Sequence, residues 1–143
     1  MKILLIVTGF VAVSATAVAP SSRRAVAEKT TWDSVYTANQ AARGETLYKS
    51  TCLKCHGAML TGGDDGSPLT GTTFLGNWNG LAMDQLFDKT YTTMPSDKPK
   101  SLPRKDYADI LAYILSQNQF PSGSMVLTDS MELLREIKIV ASR

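Results

Sequence analysis

The sequence predicts an all-α fold of three to five short helices joined by long loops. Apolar residues recur at three- and four-residue spacings in several short stretches, most regularly from Tyr107 to Leu115. No stretch combines period-two alternation with evenly spaced turn signals, as an all-β chain would. The segments between the periodic stretches are rich in Gly, Asp, Thr, Ser and Pro. At 143 residues the chain has the size of one domain, which excludes a multidomain enzyme. With 43% hydrophobic and 20% charged residues it is neither largely disordered nor a polytopic membrane protein.

The first segment reads as an export signal. Lys2 supplies a positive charge, Ile3 to Val13 is apolar apart from Thr8 and Gly9, and Ala15, Thr16 and Ala17 have the small-residue spacing of a cleavage site. The expected signal covers 1–19, with an end as late as 27 because Ala25-Val26-Ala27 offers a second small-residue triplet. The alternative is an uncleaved anchor. Ile3 to Ala19 is nearly long enough to span a bilayer, but Thr8, Ser14 and Thr16 interrupt it. Cleavage leaves a periplasmic protein without a stable membrane span. Without Lys2, Arg23 and Arg24 the balance is 12 basic against 13 acidic residues, which argues against a nucleic-acid partner.

A polar linker, 20–33, leads into a domain over 34–120. Ala38 to Lys54 carries Ala41, Ala42, Leu47, Tyr48 and Leu53 among polar residues and is expected to be an amphipathic helix. Gly44 inside it weakens the helix by about 1 kcal/mol relative to Ala, which calls for a packing reason. Gly57 to Gly80, centred on Gly62-Gly63-Asp64-Asp65-Gly66, reads as loop. Leu81 to Tyr91 is expected to be a short helix ending before Met94-Pro95. Pro95, Pro99 and Pro103 exclude a regular element through the loop to Arg104. Asp106 to Asn118 is the most regular helix, with Tyr107, Ile110, Leu111, Ile114 and Leu115 on one face. The extension 121–143 carries a short helix capped by Asp129, with Met131, Leu134 and Ile137 as its apolar positions.

Short helices joined by loops of twenty-odd residues need something other than side chains to fill the middle. Cys52-Leu53-Lys54-Cys55-His56 holds both cysteines and the single histidine of the chain. In a helical turn residues three apart share a face, so both sulfurs can reach the vinyl groups on one edge of a haem, and His56 can reach its iron. This is the c-type haem attachment sequence. A redox disulfide normally sits in a βαβ context that this chain lacks. Zinc would want a fourth ligand, and the chain has no other Cys or His to offer.

From about Ala38 to Phe120 the chain resembles a class I cytochrome c. Ala42-Arg43-Gly44, Tyr48, the 52–56 motif, Pro68, Met94-Pro95 and the helix Tyr107 to Leu115 occur in that family's order. Pro68-Leu69-Thr70-Gly71, Phe74-Leu75, Trp78, Thr92-Thr93-Met94-Pro95 and Phe120-Pro121 are similar to the monohaem cytochromes associated with periplasmic quinoprotein dehydrogenases. The resemblance implies the class I fold around one haem c, attached through Cys52 and Cys55.

The sixth iron ligand is sought among Met59, Met83, Met94, Met125 and Met131. Met59 follows His56 too closely to reach the opposite face, and Met83 joins the apolar face of a helix. Met94 lies just past a helix end in a loop free to fold over the haem, and the resemblance points to it too. The resemblance further implies that His56 donates its other ring nitrogen to the Pro68 carbonyl, the alternative being that Pro68 only stiffens the loop. It leaves Trp78 either as a donor to a haem propionate or as plain core. The expected function is electron transfer on a His56/Met94-ligated haem, from a periplasmic dehydrogenase to an oxidase or another cytochrome, with no catalysis of its own. The alternative is a haem enzyme or gas sensor with an open sixth position. Lys98, Lys100, Arg104 and Lys105 are expected to form a positive docking rim beside Met94.

Overall fold

The computed structural model describes residues 28–142. The expected signal segment, 1–19 or up to 27, lies outside the described residues. Six helices occur among them: α1 (Ala38–Thr51), α2 (Leu53–His56), α3 (Gly71–Trp78), α4 (Met83–Thr93), α5 (Arg104–Gln117) and α6 (Met131–Arg135). The mostly helical, loop-rich architecture is a cytochrome c fold, as the sequence predicts. No helix among the described residues is long and apolar enough to cross a membrane.

α1 begins where the Thr37 side chain accepts from the Gln40 amide at 3.1 Å, satisfying one of the four free amides of a helix start. It crosses α5, whose apolar positions Ile110, Leu111, Ile114 and Leu115 are buried. The glycine at 44 has its packing reason here. A Cβ at Gly44 would lie 1.8 Å from the Asp109 carbonyl oxygen and 3.0 Å from Tyr113 Cβ, so the two helices meet backbone to backbone. The nearest neighbour is the α5 main chain, with Tyr113 Cβ beside it. The Tyr113 ring packs on Tyr48, with ring centroids 5.4 Å apart. Arg43 closes the rim of this crossing by donating to both carboxylate oxygens of buried Asp109 at 2.8 and 3.1 Å.

The stretch expected to be loop from Gly57 to Gly80 contains α3. Its sequence, Gly-Thr-Thr-Phe-Leu-Gly-Asn-Trp, has weak local helix propensity, and its start depends on a distant partner. Asn118, at the end of α5, accepts from the Gly71 amide at 3.1 Å and donates to the carbonyls of Leu69 and Ile114, both at 2.9 Å. One buried amide thus ties the start of α3 to the end of α5. α5 itself begins two residues earlier than its periodicity suggests, directly after Pro103, whose fixed φ suits the entry to a helix.

The C-terminal extension wraps its own domain. Gln40 donates to the Leu127 carbonyl and accepts from the Leu127 amide, both at 2.8 Å. α6 packs on α4 through Leu134, and its N-cap position is Ser130 rather than Asp129. Beyond it, β2 (Ile137–Lys138) pairs in parallel with β1 (Lys29–Thr30), in register Lys29 to Ile137 and Thr30 to Lys138. Pairs of two residues are too short for a periodic signal, which is why the sequence predicts no strand there. The end of the expected linker is therefore part of the fold from Lys29 onward.

Candidate haem site

Cys52 closes α1, its amide donating to the Tyr48 carbonyl at 2.8 Å, and its own carbonyl accepts from Cys55 and His56 at 3.2 and 3.0 Å. These helical bonds place Cys52 and Cys55 on one face of the turn. Both cysteines are unpaired and half-buried. Burial, helped by the neighbouring Cys55, pushes the Cys52 thiol up to about 11. A reactive thiolate needs the opposite shift. Among the described residues no three His, Cys, Asp or Glu side chains gather as a metal-ion site.

Gly57 ends α2 at φ 76°, a left-handed conformation that glycine tolerates, and its carbonyl accepts from the Tyr48 hydroxyl at 2.6 Å. The chain then folds back over the motif. Gly62 donates to the His56 carbonyl at 3.0 Å and Gly63 to the Gly66 carbonyl at 2.9 Å. Gly66 lies so close that a Cβ there would sit 2.5 Å from the Cys55 carbonyl oxygen and 3.0 Å from His56 Nδ1. This bare backbone lets the loop reach the imidazole.

His56 is buried, and its Nδ1 stands 2.7 Å from the Ser67 carbonyl oxygen. A carbonyl only accepts, so Nδ1 carries the proton and the lone pair of Nε2 is left for a metal. The acceptor belongs to Ser67, one residue before the expected Pro68. It is nonetheless the oxygen of the Ser67–Pro68 amide. The proline acts through that shared peptide plane, biasing the residue before it towards extended backbone.

Met94 is the C-cap of α4. Its amide donates to the Thr90 carbonyl at 2.9 Å, its carbonyl accepts from the Tyr107 hydroxyl at 2.8 Å, and it is half-buried. Met83 is fully buried in the core, as its place on the apolar face of α4 predicts. Trp78 is half-buried at the end of α3 with its ring tilted against Phe74 at 6.4 Å. Leu69, Leu75, Trp78, Tyr91 and Leu102, drawn from two loops and two helices, pack against the core yet stay partly open. Two free thiols on one helical face and an imidazole with its outer nitrogen available fit a covalently bound porphyrin. Ser67, Gly66 and Tyr107 were not legible as contributors. The signals for them were the X-Pro bond, the glycine cluster, and a tyrosine hydroxyl on a buried face that must find a partner.

The expected positive rim divides in two. Arg104 lays its guanidinium over Phe87 and Tyr91, 4.7 and 4.9 Å from their centroids, and donates to the Asp129 carbonyl at 2.7 Å. Lys105 pairs with Asp106 at 2.6 Å and lies 3.9 Å from Asp109. These two charges are spent on the fold. Lys98 and Lys100 are exposed, with Lys100 5.7 Å above the Tyr91 ring.

Residues 39–114, just over half of the chain, match the family model described as cytochrome c oxidase, cbb3-type, subunit III. No curated protein matches the chain. Among solved structures it is similar to a chain of the sulfane dehydrogenase SoxCD from Paracoccus pantotrophus, at 21% identity and a TM-score of 0.51. The match covers 75% of this chain and 61% of that one, a likeness of fold. The haem-attachment motif, the loop that fixes its histidine and the family match over the same helices lead to one conclusion: the chain belongs to the cbb3-type cytochrome c oxidase subunit III family, c-type cytochromes that transfer electrons on covalently bound haem.

Proposed function

We propose that this cytochrome is an exported, periplasmic carrier of single electrons, with one haem attached through Cys52 and Cys55 and held between His56 and Met94. The observation that carries the reading is the fixed imidazole. With Nδ1 bound to the Ser67 carbonyl at 2.7 Å, the ring is held in one tautomer and one orientation. When bound, the haem would supply a one-electron ferric/ferrous couple, whose potential a methionine ligand would raise. The chain's own residues do the rest. Cys52 and Cys55 would anchor one edge, and Tyr107 holds the backbone of Met94. The role proposed is electron transfer without catalysis. Its donor is a periplasmic dehydrogenase and its acceptor an oxidase or another cytochrome. The resemblance to quinoprotein-associated cytochromes supports this order. The fold neighbour is part of a sulfane dehydrogenase and the family is named for an oxidase subunit, which supports both kinds of partner.

The visible spectrum tests this reading. A pyridine haemochrome should report two thioether links and one haem per chain. The oxidised protein should show the weak band at the red edge of the visible range that marks sulfur on ferric iron. That band should vanish in Met94→Ala and persist in Met83→Leu, a core swap of nearly equal volume. A wild-type protein without it would move the reading to an open sixth position, that of a haem enzyme or gas sensor.

A further inference from the structure

The loop between α4 and α5 is exposed from Ser96 to Ser101, and its own backbone bond, Lys98 N–H to the Pro95 carbonyl at 2.9 Å, closes a single turn. What holds its base comes from outside the loop. Tyr107, 1% exposed on α5, donates its hydroxyl to the Met94 carbonyl, and its ring meets Tyr91 edge-on with centroids 5.3 Å apart. Arg104, the first residue of α5, covers Phe87 and Tyr91 on the helix that ends at Met94. The same guanidinium donates to the Asp129 carbonyl in the C-terminal extension. The two ends of the loop are thus pinned to each other through an aromatic stack, and the pin reaches a segment outside the family match.

We propose that Tyr107 and Arg104 are positioning residues for Met94, and that the segment around Asp129 anchors them, so that the extension helps to keep the methionine on the iron. This rests on the reading of Met94 as the sixth ligand. For the sulfur to leave, the chain at Met94 must swing outward. The Tyr107 hydroxyl holds the backbone atom on which that swing turns. Arg104, flat against two rings and bonded to a carbonyl behind them, keeps the end of α4 from following. Neither residue touches the iron. Both act by raising the cost of the open loop, and a ligand from solution that needs the open loop reports that cost directly.

Imidazole titration of the oxidised holoprotein, followed by loss of the red-edge band, is the experiment. Tyr107→Phe keeps the ring and removes the hydroxyl. It should bind imidazole roughly 2- to 10-fold more tightly than wild type, the range expected for one hydrogen bond. Arg104→Gln should shift binding in the same direction, and Arg104→Lys should rescue it only in part, because an ammonium cannot lie flat on both rings. Tyr36→Phe is the control. It loses a comparable buried bond, Tyr36 hydroxyl to Phe120 carbonyl at 2.6 Å, and should leave imidazole affinity unchanged. Wild-type affinity in a folded Tyr107→Phe overturns the proposal, as does a Tyr36→Phe effect of equal size. If Tyr107→Phe does not fold, Arg104→Gln decides by the same criterion. A wild-type protein that lacks the band overturns the ligand reading itself, before any variant is made.

Discussion

Where α1 crosses α5, main chain rests on main chain, with Gly44 against the Asp109 carbonyl and apolar rows filling both flanks. Around His56 and Met94 the chain never closes in that way. There the loops are shaped by single hydrogen bonds to carbonyls, Ser67 for His56 and Met94 for Tyr107. The first region is complete as protein, because its periodic side chains match in shape. In the second, the proposed haem would supply the packing partner.

The contrast is tested most severely by removing the covalent anchors. A porphyrin hides several hundred Å² of apolar surface, on the order of 10 kcal/mol, which rivals a small domain's whole net stability. Cys52→Ser with Cys55→Ser should therefore yield little folded protein by circular dichroism. A well-folded, haem-free double variant would mean that the second region packs by itself. Gly44→Val attacks the other region. Its side chain must force the helix crossing apart, at about 3 kcal/mol, visible as a lowered denaturant midpoint with the haem spectrum retained. A variant as stable as wild type would show that the crossing is looser than its backbone contact indicates.

Tyr48 belongs to both regions, since its ring packs on Tyr113 in the crossing and its hydroxyl holds the Gly57 carbonyl beside the motif. Tyr48→Phe should cost about 1 to 2 kcal/mol. Burial raises the Tyr48 hydroxyl from its ordinary 10.0 to about 12. The folded protein therefore keeps this proton where the unfolded chain gives it up. The associated stability is complete below pH 10.0 and declines as pH rises towards about 12. Denaturant midpoints at about pH 9 and about pH 11 should diverge less in Tyr48→Phe than in wild type. Tyr36 and Tyr113, raised by burial as well, keep part of the slope. Equal slopes would remove Tyr48 from the account.

The smallest expected effect on stability is at the exposed charges. Lys98→Glu with Lys100→Glu should leave folding unchanged and slow association with an acidic redox partner at low ionic strength, the difference fading as salt is added. Stopped-flow rates equal to wild type at low salt would leave this loop as solvated surface.

The sequence made α1, α4 and α5 legible because their cores are written in local periodicity, and it made Cys52, Cys55 and His56 legible because their chemistry fixes their spacing. It hid what depends on partners far along the chain. α3 starts on Asn118, 47 residues from the Gly71 amide it caps. The carbonyl that orients His56 is a main-chain atom, and every residue type carries one. Arg104 looked like its lysine neighbours in charge, and only its place over two rings separates it from them.

The indole of Trp32 donates to the Val140 carbonyl at 2.9 Å, across 108 residues, beside the pairing of β1 with β2. This seam joins segments that lie more than a hundred residues apart. Contacts of such long sequence separation are slow to form, so the two ends should be the last parts to gain amide protection, and should gain it together. A deletion of the tail that spares every haem contact would still unfasten the head.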